Sequence, residues 1–503
     1  MSLAVVFARA SLGVAAPLVT VEAHLANGLP AFNIVGLPET TVKEARDRVR
    51  SALLNSGFEF PARRITVNLA PADLPKEGGR FDLPIAMAVL AASGQIPIAN
   101  LDKLEFLGEL ALTGALRPIK GALPAVLAAR DSQRFIILPE DNGAEAGMIQ
   151  PSPARLASHL LTITAWLRQE AELITPSAIE EQEPEQISDL CDVIGQEGGK
   201  RALEIAAAGQ HNLLLLGPPG TGKSMLASRL PGLLPAMNEE EALEIAAIRS
   251  ICGENLEPHT WRLRAFRQPH HSSSAVALVG GGSFPRPGEI SLAHNGVLFL
   301  DELTEFERRV LDALREPLET HVISIARAAR SVTFPACFQL IAAMNPSPCG
   351  HYQDGYSRSS PEQILRYLNK ISGPFLDRFD LSVEVSLLPP GELSRPRAKA
   401  ESSTEIRKRV LAARERQLLR AGKTNARLSA AELERYCPLN QADAEFLEQA
   451  LHRMKLSIRA WHKLIRVART IADLEHKTDI NRQHLIEALG YRAMDRLIQQ
   501  LQF

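Results

Sequence analysis

Eight consecutive residues, Gly217, Pro218, Pro219, Gly220, Thr221, Gly222, Lys223 and Ser224, follow directly on four leucines at 213–216. Glycines at this spacing let a chain turn sharply and aim backbone N–H groups at phosphate oxygens. Lys223 then reaches the β- and γ-phosphates, Ser224 offers an oxygen to Mg²⁺, and the helix that follows points its positive end at the anion. The chemistry is that of a loop holding ATP with Mg²⁺. A second pair, Asp301 and Glu302, ends the apolar run 297–300. Asp301 suits Mg²⁺, directly or through water, and Glu302 suits polarisation of an attacking water. Asn345, after the run 338–344, supplies an amide that orients that water; an Asn-Pro turn is the plainer alternative. Arg378, in the turn 372–380, is a candidate charge for a phosphoryl transition state, delivered from another subunit. Arg459, at 456–461, is a candidate second sensor. For both arginines, a solvated ion pair is the competing reading.

These residues need a scaffold that gathers strand ends. Residues 188–390 alternate short apolar runs with amphipathic helical stretches, which predicts a parallel α/β sheet with its site at the carboxyl ends of the strands. After Pro389, Pro390 and Gly391 the pattern is helical to the end. Residues 1–170 mix strands, at 18–24 and 64–69, with a helix over 42–54 that Thr40 or Thr41 would cap and Asn55 and Gly57 would stop. Glu172, Glu180, Glu181, Glu183, Glu185, Asp189 and Asp192 occur with no Lys or Arg among them, beside Pro176 and Pro184. That is the composition of a solvated connector. The expected organisation is an N-terminal domain at 1–170, an acidic linker at 171–190, a nucleotide module at 191–390 and a helical lid at 391–503.

The bulk numbers exclude several classes. A chain of 503 residues with 45% apolar and 23% charged residues is an ordinary globular protein of more than one domain. A net charge of −2 gives no global attraction to nucleic acid, so any such binding needs local basic patches. Cys191, Cys252, Cys337, Cys349 and Cys437 are odd in number and scattered, as expected of reduced thiols in a cytoplasmic protein. The first residues lack a basic stretch followed by a long apolar one. No apolar run approaches the ~20 residues that span a bilayer, so no membrane association is expected.

Longer motifs surround these residues. The stretches 268–272 (Gln-Pro-His-His-Ser), 279–282 (Val-Gly-Gly-Gly), 287–303 and 314–319 (Leu-Arg-Glu-Pro-Leu-Glu) resemble the magnesium-chelatase-type AAA+ ATPases. More narrowly, the chain resembles the ComM (YifB) subfamily from end to end. The resemblance implies an α/β fold: a P-loop AAA+ parallel-sheet module with a C-terminal helical lid, acting as a homo-hexameric ring ATPase with its site between subunits. It assigns Lys223, Ser224, Asp301 and Glu302 to one subunit, Asn345 as sensor 1 and Arg378 as the trans-acting finger. Arg459 falls where related replicative helicases carry their sensor-2 arginine. Many relatives carry two cysteine pairs after sensor 1. Here Ser347, Cys349 and residues 356–360 keep one thiol, so no metal beyond nucleotide-bound Mg²⁺ is expected.

The stretches 68–84 and 107–119 resemble a Lon-protease-like α+β domain. In that resemblance Arg80 stands where the nucleophilic serine would be, and Leu123, with Lys120 close by, stands where the lysine base would be. A guanidinium stays protonated and is no nucleophile, so the domain is expected to be proteolytically inactive. The segment also resembles RadA-type recombination proteins.

Between residue 321 and Phe334 two alternating runs flank Ala326-Arg-Ala-Ala-Arg330, which reads as a β-hairpin with Arg327 and Arg330 at its tip. In a ring such a tip faces the channel, where both arginines would meet DNA phosphates; a solvated surface hairpin is the alternative. The segment 245–290 exceeds a minimal ATPase and is expected to hold a second pore insertion. Basic clusters at 395–427 and 452–469 read more simply as solvated lid helices than as DNA contacts. The leading function is ATP-dependent branch migration of DNA recombination intermediates in natural transformation, with a recombinase or other recombination proteins as partners. The alternative is a chelatase-type motor that remodels a protein partner. A protease lacks its Ser/Lys pair, and a scaffold leaves Lys223, Asp301 and Glu302 unexplained.

Overall fold

The computed structural model describes residues 3–36, 44–178, 188–254, 256, 260–282, 285–327, 330–351, 359–391 and 400–502. The caps expected at Thr40 and Thr41, the middle of the acidic linker, the start of the 395–427 cluster and most of 356–360 lie outside them. The chain divides into two compact units. The first comprises 1–183, 242–261 and 326–332, and the second comprises 184–241, 262–325 and 333–503.

In the first unit, seven strands form one mixed sheet in the order Ala31–Val35, Arg64–Ala70, Leu18–Ala26, Leu3–Arg9, Leu104–Phe106, Phe135–Pro139 and Ala154–Ala157. Leu18–Ala26 is antiparallel to both its neighbours, and its Val19, Val21, Ala23 and Leu25 point into the core. This is the period of two that its sequence carries. Helix Asp82–Ala92 is buried along its whole length and packs on the two central strands. A helix apolar at every position after its first residue reads as a core element. The expected helix at 42–54 is described from Ala45 to Asn55, and Gly57 follows at φ +79°. Residues 242–261 belong to this unit although they lie between the two nucleotide motifs in sequence. Ser250 donates to Glu145 Oε2 at 2.6 Å and accepts from the Leu123 N–H at 3.3 Å. The expected insertion at 245–290 is therefore divided, its first part joining the N-terminal core through Ala246 and Trp261.

In the second unit, five parallel strands lie in the order Phe266–Arg267, Val297–Leu300, Gln339–Met344, Leu213–Leu216 and Leu381–Glu384. The three inner strands are buried at every residue, as in sheets covered on both faces. Strand order reverses beside Leu213–Leu216, the arrangement that opens a crevice at the carboxyl edge. The C-terminal helices share this core. Val410, Leu464, Ile471 and Leu485 join Leu213, Val297 and Ile341 in one cluster.

Both described ends of the acidic stretch are tied down. Leu173 is buried and the Ile174 carbonyl accepts from Leu156, while Leu190 is buried and donates its N–H to Ser403 Oγ at 2.7 Å. Apolar residues at each end anchor what the charge pattern alone reads as solvated.

Candidate nucleotide site

The sheet brings three motifs to adjacent strand ends. Leu213–Leu216 delivers the loop 217–224, Gln339–Met344 delivers Asn345, and Val297–Leu300 delivers Asp301 and Glu302. The loop starts where only glycine fits: a Cβ on Gly217 would stand 2.1 Å from the Val385 carbonyl oxygen. Gly220 and Gly222 adopt φ of +78° and +88°, a region that costs other residues strain. Thr221 Oγ1 donates to the Pro218 carbonyl at 2.9 Å and closes the turn.

Lys223 is buried and donates to the Gly217 and Pro218 carbonyls, each at 2.7 Å, and to Asn345 Oδ1 at 3.2 Å. Burial lowers its pKa, while the charges of Asp301 and Glu302 act in the opposite direction. Ser224 Oγ donates to Asp301 Oδ2 at 2.6 Å, and Asp301 Oδ1 accepts the Glu302 N–H at 2.9 Å. Ser224 and Asp301 thus present adjacent hard oxygens, a donor set that fits Mg²⁺. The residues border a cleft of ≈ 1080 Å³, a size that suits a nucleotide.

Glu302 sits in the left-handed region at φ +51° with its side chain largely exposed. Its Oε2 is 3.3 Å from His271 Nδ1, and the rings of His270 and His271 lie 4.1 Å apart. The motif at 268–272 marks this segment, but its spacing alone does not reveal the His271–Glu302 contact. The far wall of the cleft carries Gln363, Arg366, Tyr367 and Lys370, which sequence reading missed. Their spacing of three and four residues is that of one helix face, the signal that was available.

Arg378 is elsewhere. It lines a second cavity of ≈ 420 Å³, bordered also by Asp377, Lys463 and Arg466, that shares no lining residue with the first. It pairs there with Glu319. Its turn is held by Asn212, whose Nδ2 donates to the Arg378 carbonyl at 2.9 Å, and by Lys463, which donates to the Asp377 and Phe379 carbonyls. Arg459 is 72% exposed and 3.7 Å from Asp377 Oδ2. The structure thus gathers Lys223, Ser224, Asp301, Glu302 and Asn345 in one cleft and sets Arg378 and Arg459 together outside it. Arg327 ends strand Val322–Arg327 and Arg330 begins strand Arg330–Pro335, which pair as a two-stranded sheet.

In the first unit, Arg80 is buried and its guanidinium donates to the Lys120 carbonyl. The two segments in which Lon proteases carry their serine and lysine do meet here, through an arginine and a main-chain oxygen. Burial lowers the Arg80 pKa to about 10, which leaves it protonated near neutrality.

Family models described as magnesium chelatase, subunit ChlI, match residues 189–393 and 21–142, and its C-terminal model matches 400–492. The chain is 60% identical to the YifB protein of Salmonella typhimurium, over 100% of this chain and 99% of that one. It is 58% identical to the competence protein ComM of Haemophilus influenzae, with the same coverage. The chain belongs to the ComM/YifB family of magnesium-chelatase-like AAA+ ATPases. Similarity to the magnesium-chelatase 38 kDa subunit of Rhodobacter capsulatus is lower, 27% over 58% of this chain and 83% of that one. Because a chelatase-subunit model also matches 21–142, the N-terminal segment does not by itself set this family apart from chelatase motors. Among the described residues no helix is long and apolar enough to cross a membrane.

Proposed function

We propose that the chain is an ATP-driven motor that promotes branch migration of DNA recombination intermediates in natural transformation. The supporting observation is the meeting of Lys223, Ser224, Asp301 and Asn345 at adjacent strand ends, in a chain similar from end to end to a protein named for competence.

Hydrolysis would use these side chains in turn. Lys223 exchanges its loop carbonyls for the β- and γ-phosphates of ATP. Ser224 and Asp301 would hold Mg²⁺, which when bound offsets phosphate charge. Glu302 polarises water, Asn345 orients it, and His271 sets the resting position of Glu302. Arg378 completes the site from a neighbouring subunit, and its place outside the Lys223 cleft favours a ring, which we take as a homo-hexamer. Arg459, beside the same Asp377, would arrive with it. Arg327 and Arg330 on their hairpin supply the cations that DNA phosphates require. The N-terminal unit would organise the ring or bind a recombination partner without peptidase activity, because Arg80 fills the nucleophile position.

A chelatase-type motor acting on a protein partner is the second reading, favoured by the descriptions of the matching family models. DNA dependence of turnover separates the two. ATPase activity stimulated by branched or single-stranded DNA supports the first, and activity indifferent to DNA supports the second.

A further inference from the structure

The mechanism above leaves one wall of the nucleotide cleft without a role. Helix Pro361–Leu368 forms that wall. Ser360 caps it, its Oγ accepting from the Gln363 N–H at 3.3 Å while Gln363 Oε1 accepts from the Ser360 N–H at 3.0 Å. Ile364 and Leu368 are buried, so the face bearing Gln363, Arg366 and Tyr367, continued by Lys370 beyond the helix end, turns to the cleft. Two of these groups are anchored close to the catalytic carboxylates. Thr304 Oγ1 donates to the Tyr367 hydroxyl at 2.6 Å, and Lys370 Nζ is 3.6 Å from Glu305 Oε1. Thr304 and Glu305 follow Glu302 closely in sequence, so this face meets the end of the cleft where water attack would occur.

Gln363 is committed to its cap and Lys370 to Glu305. Arg366 is exposed and borders the same cleft as Lys223, and its guanidinium has no hydrogen bond or ion pair among the described residues. We propose that Arg366 is a further catalytic residue, acting in the same subunit as Lys223, whose guanidinium contacts the terminal phosphate of bound ATP. The inference rests on the ATP-hydrolysis reading and extends it. Asp301, Glu302 and Glu305 make one side of this cleft acidic, and Lys223 approaches a triphosphate from the loop. A planar cation on the opposite wall balances the negative charge there. It also matches the equatorial oxygens of the γ-phosphoryl group while water bonds to phosphorus and ADP leaves with the bridging oxygen. Arg366 differs from Arg378 in address: it lines the cleft of its own subunit, whereas Arg378 is set outside it.

The test uses full-length protein carrying Arg366→Ala or Arg366→Lys. Affinity is measured for Mg²⁺ with a non-hydrolysable ATP analogue and for Mg²⁺ with ADP, together with kcat. For Arg366→Ala the analogue should bind about 10-fold or more weakly while ADP affinity stays within about 2-fold, and kcat should fall by about 100-fold or more. Arg366→Lys should recover part of the kcat. Retained ADP binding shows that the variant cleft is folded. Equal losses for both nucleotides, or unchanged kcat, overturn the assignment. Mixing gives the address. Arg366→Ala mixed with Lys223→Ala should yield no recovered turnover, because both residues belong to the same subunit's site and every site then lacks one of them, and recovery would overturn the same-subunit role. Absence of turnover in the unmodified protein would instead overturn the ATPase reading itself.

Discussion

The Lys223 ammonium donates to Asn345 Oδ1 at 3.2 Å, joining the phosphate loop to the end of the neighbouring strand. The same lysine holds two carbonyls of its own loop. A buried cation needs such partners, and each is one that a phosphate oxygen can replace. The contact therefore describes a lysine held by oxygen acceptors at the strand ends, with the Asn345 amide beside it.

Glu302→Gln should bind ATP with affinity near that of the parent chain and hydrolyse it about 100-fold or more slowly, because the change removes the base and leaves Lys223, Ser224 and Asp301 in place. Filter retention of labelled ATP beside a phosphate-release assay checks this. Rapid turnover by the variant would assign the base elsewhere.

Arg378→Ala should leave nucleotide binding intact, since Arg378 does not border the Lys223 cleft. Turnover should fall by about 10³-fold, the scale of a missing finger. Mixed with Lys223→Ala, it should regain activity, since some sites then combine an intact lysine with an intact arginine. A variant with parental turnover contradicts the finger assignment.

The loop 217–224 and the pair Asp301–Glu302 were legible because each is a local pattern attached to one strand. Their meeting point was legible too, since parallel strands place such ends together. Arg366 was not, because the residues that fix its wall of the cleft, Thr304 and Glu305, lie some sixty positions away and meet its neighbours Tyr367 and Lys370 only through folding. The same reason hid the His271–Glu302 contact. Leu190 shows the converse limit: charge composition marked a connector, yet the buried leucine, whose N–H donates to Ser403 Oγ, and Asp189, whose Oδ1 accepts from the Ser403 N–H, hold its end within the second unit. Residues 242–261 were missed for a third reason. Amphipathic period tells which face of a helix is buried but not which core buries it.

Replacing Arg327 and Arg330 together with alanine should weaken DNA binding at all sequences alike. It should also flatten the slope of log affinity against log salt by about 2, one unit for each phosphate no longer neutralised. Fluorescence anisotropy on a four-way junction across a salt series measures this. An unchanged slope would remove the hairpin from the DNA path.

Lys463 carries a pH signature. Burial pushes its pKa down to about 8 from 10.5. The folded chain holds this proton less tightly than the unfolded chain, so the cost is full below pH 8 and disappears as pH rises toward 10.5. Between pH 7.5 and 9.5 the parent chain should gain about 2 kcal/mol relative to Lys463→Met, read as diverging urea midpoints. A constant gap between the two chains would show that this lysine titrates normally.

The central claim, an ATP-powered motor on branched DNA, is tested most directly by strand exchange through a labelled four-way junction, with Lys223→Ala as control. The expected result is branch movement that requires ATP and Mg²⁺ and is lost with Lys223→Ala. Junctions that stay in place under the unmodified protein, while ATP is hydrolysed at a rate indifferent to DNA, would contradict it and favour a motor that acts on a protein partner.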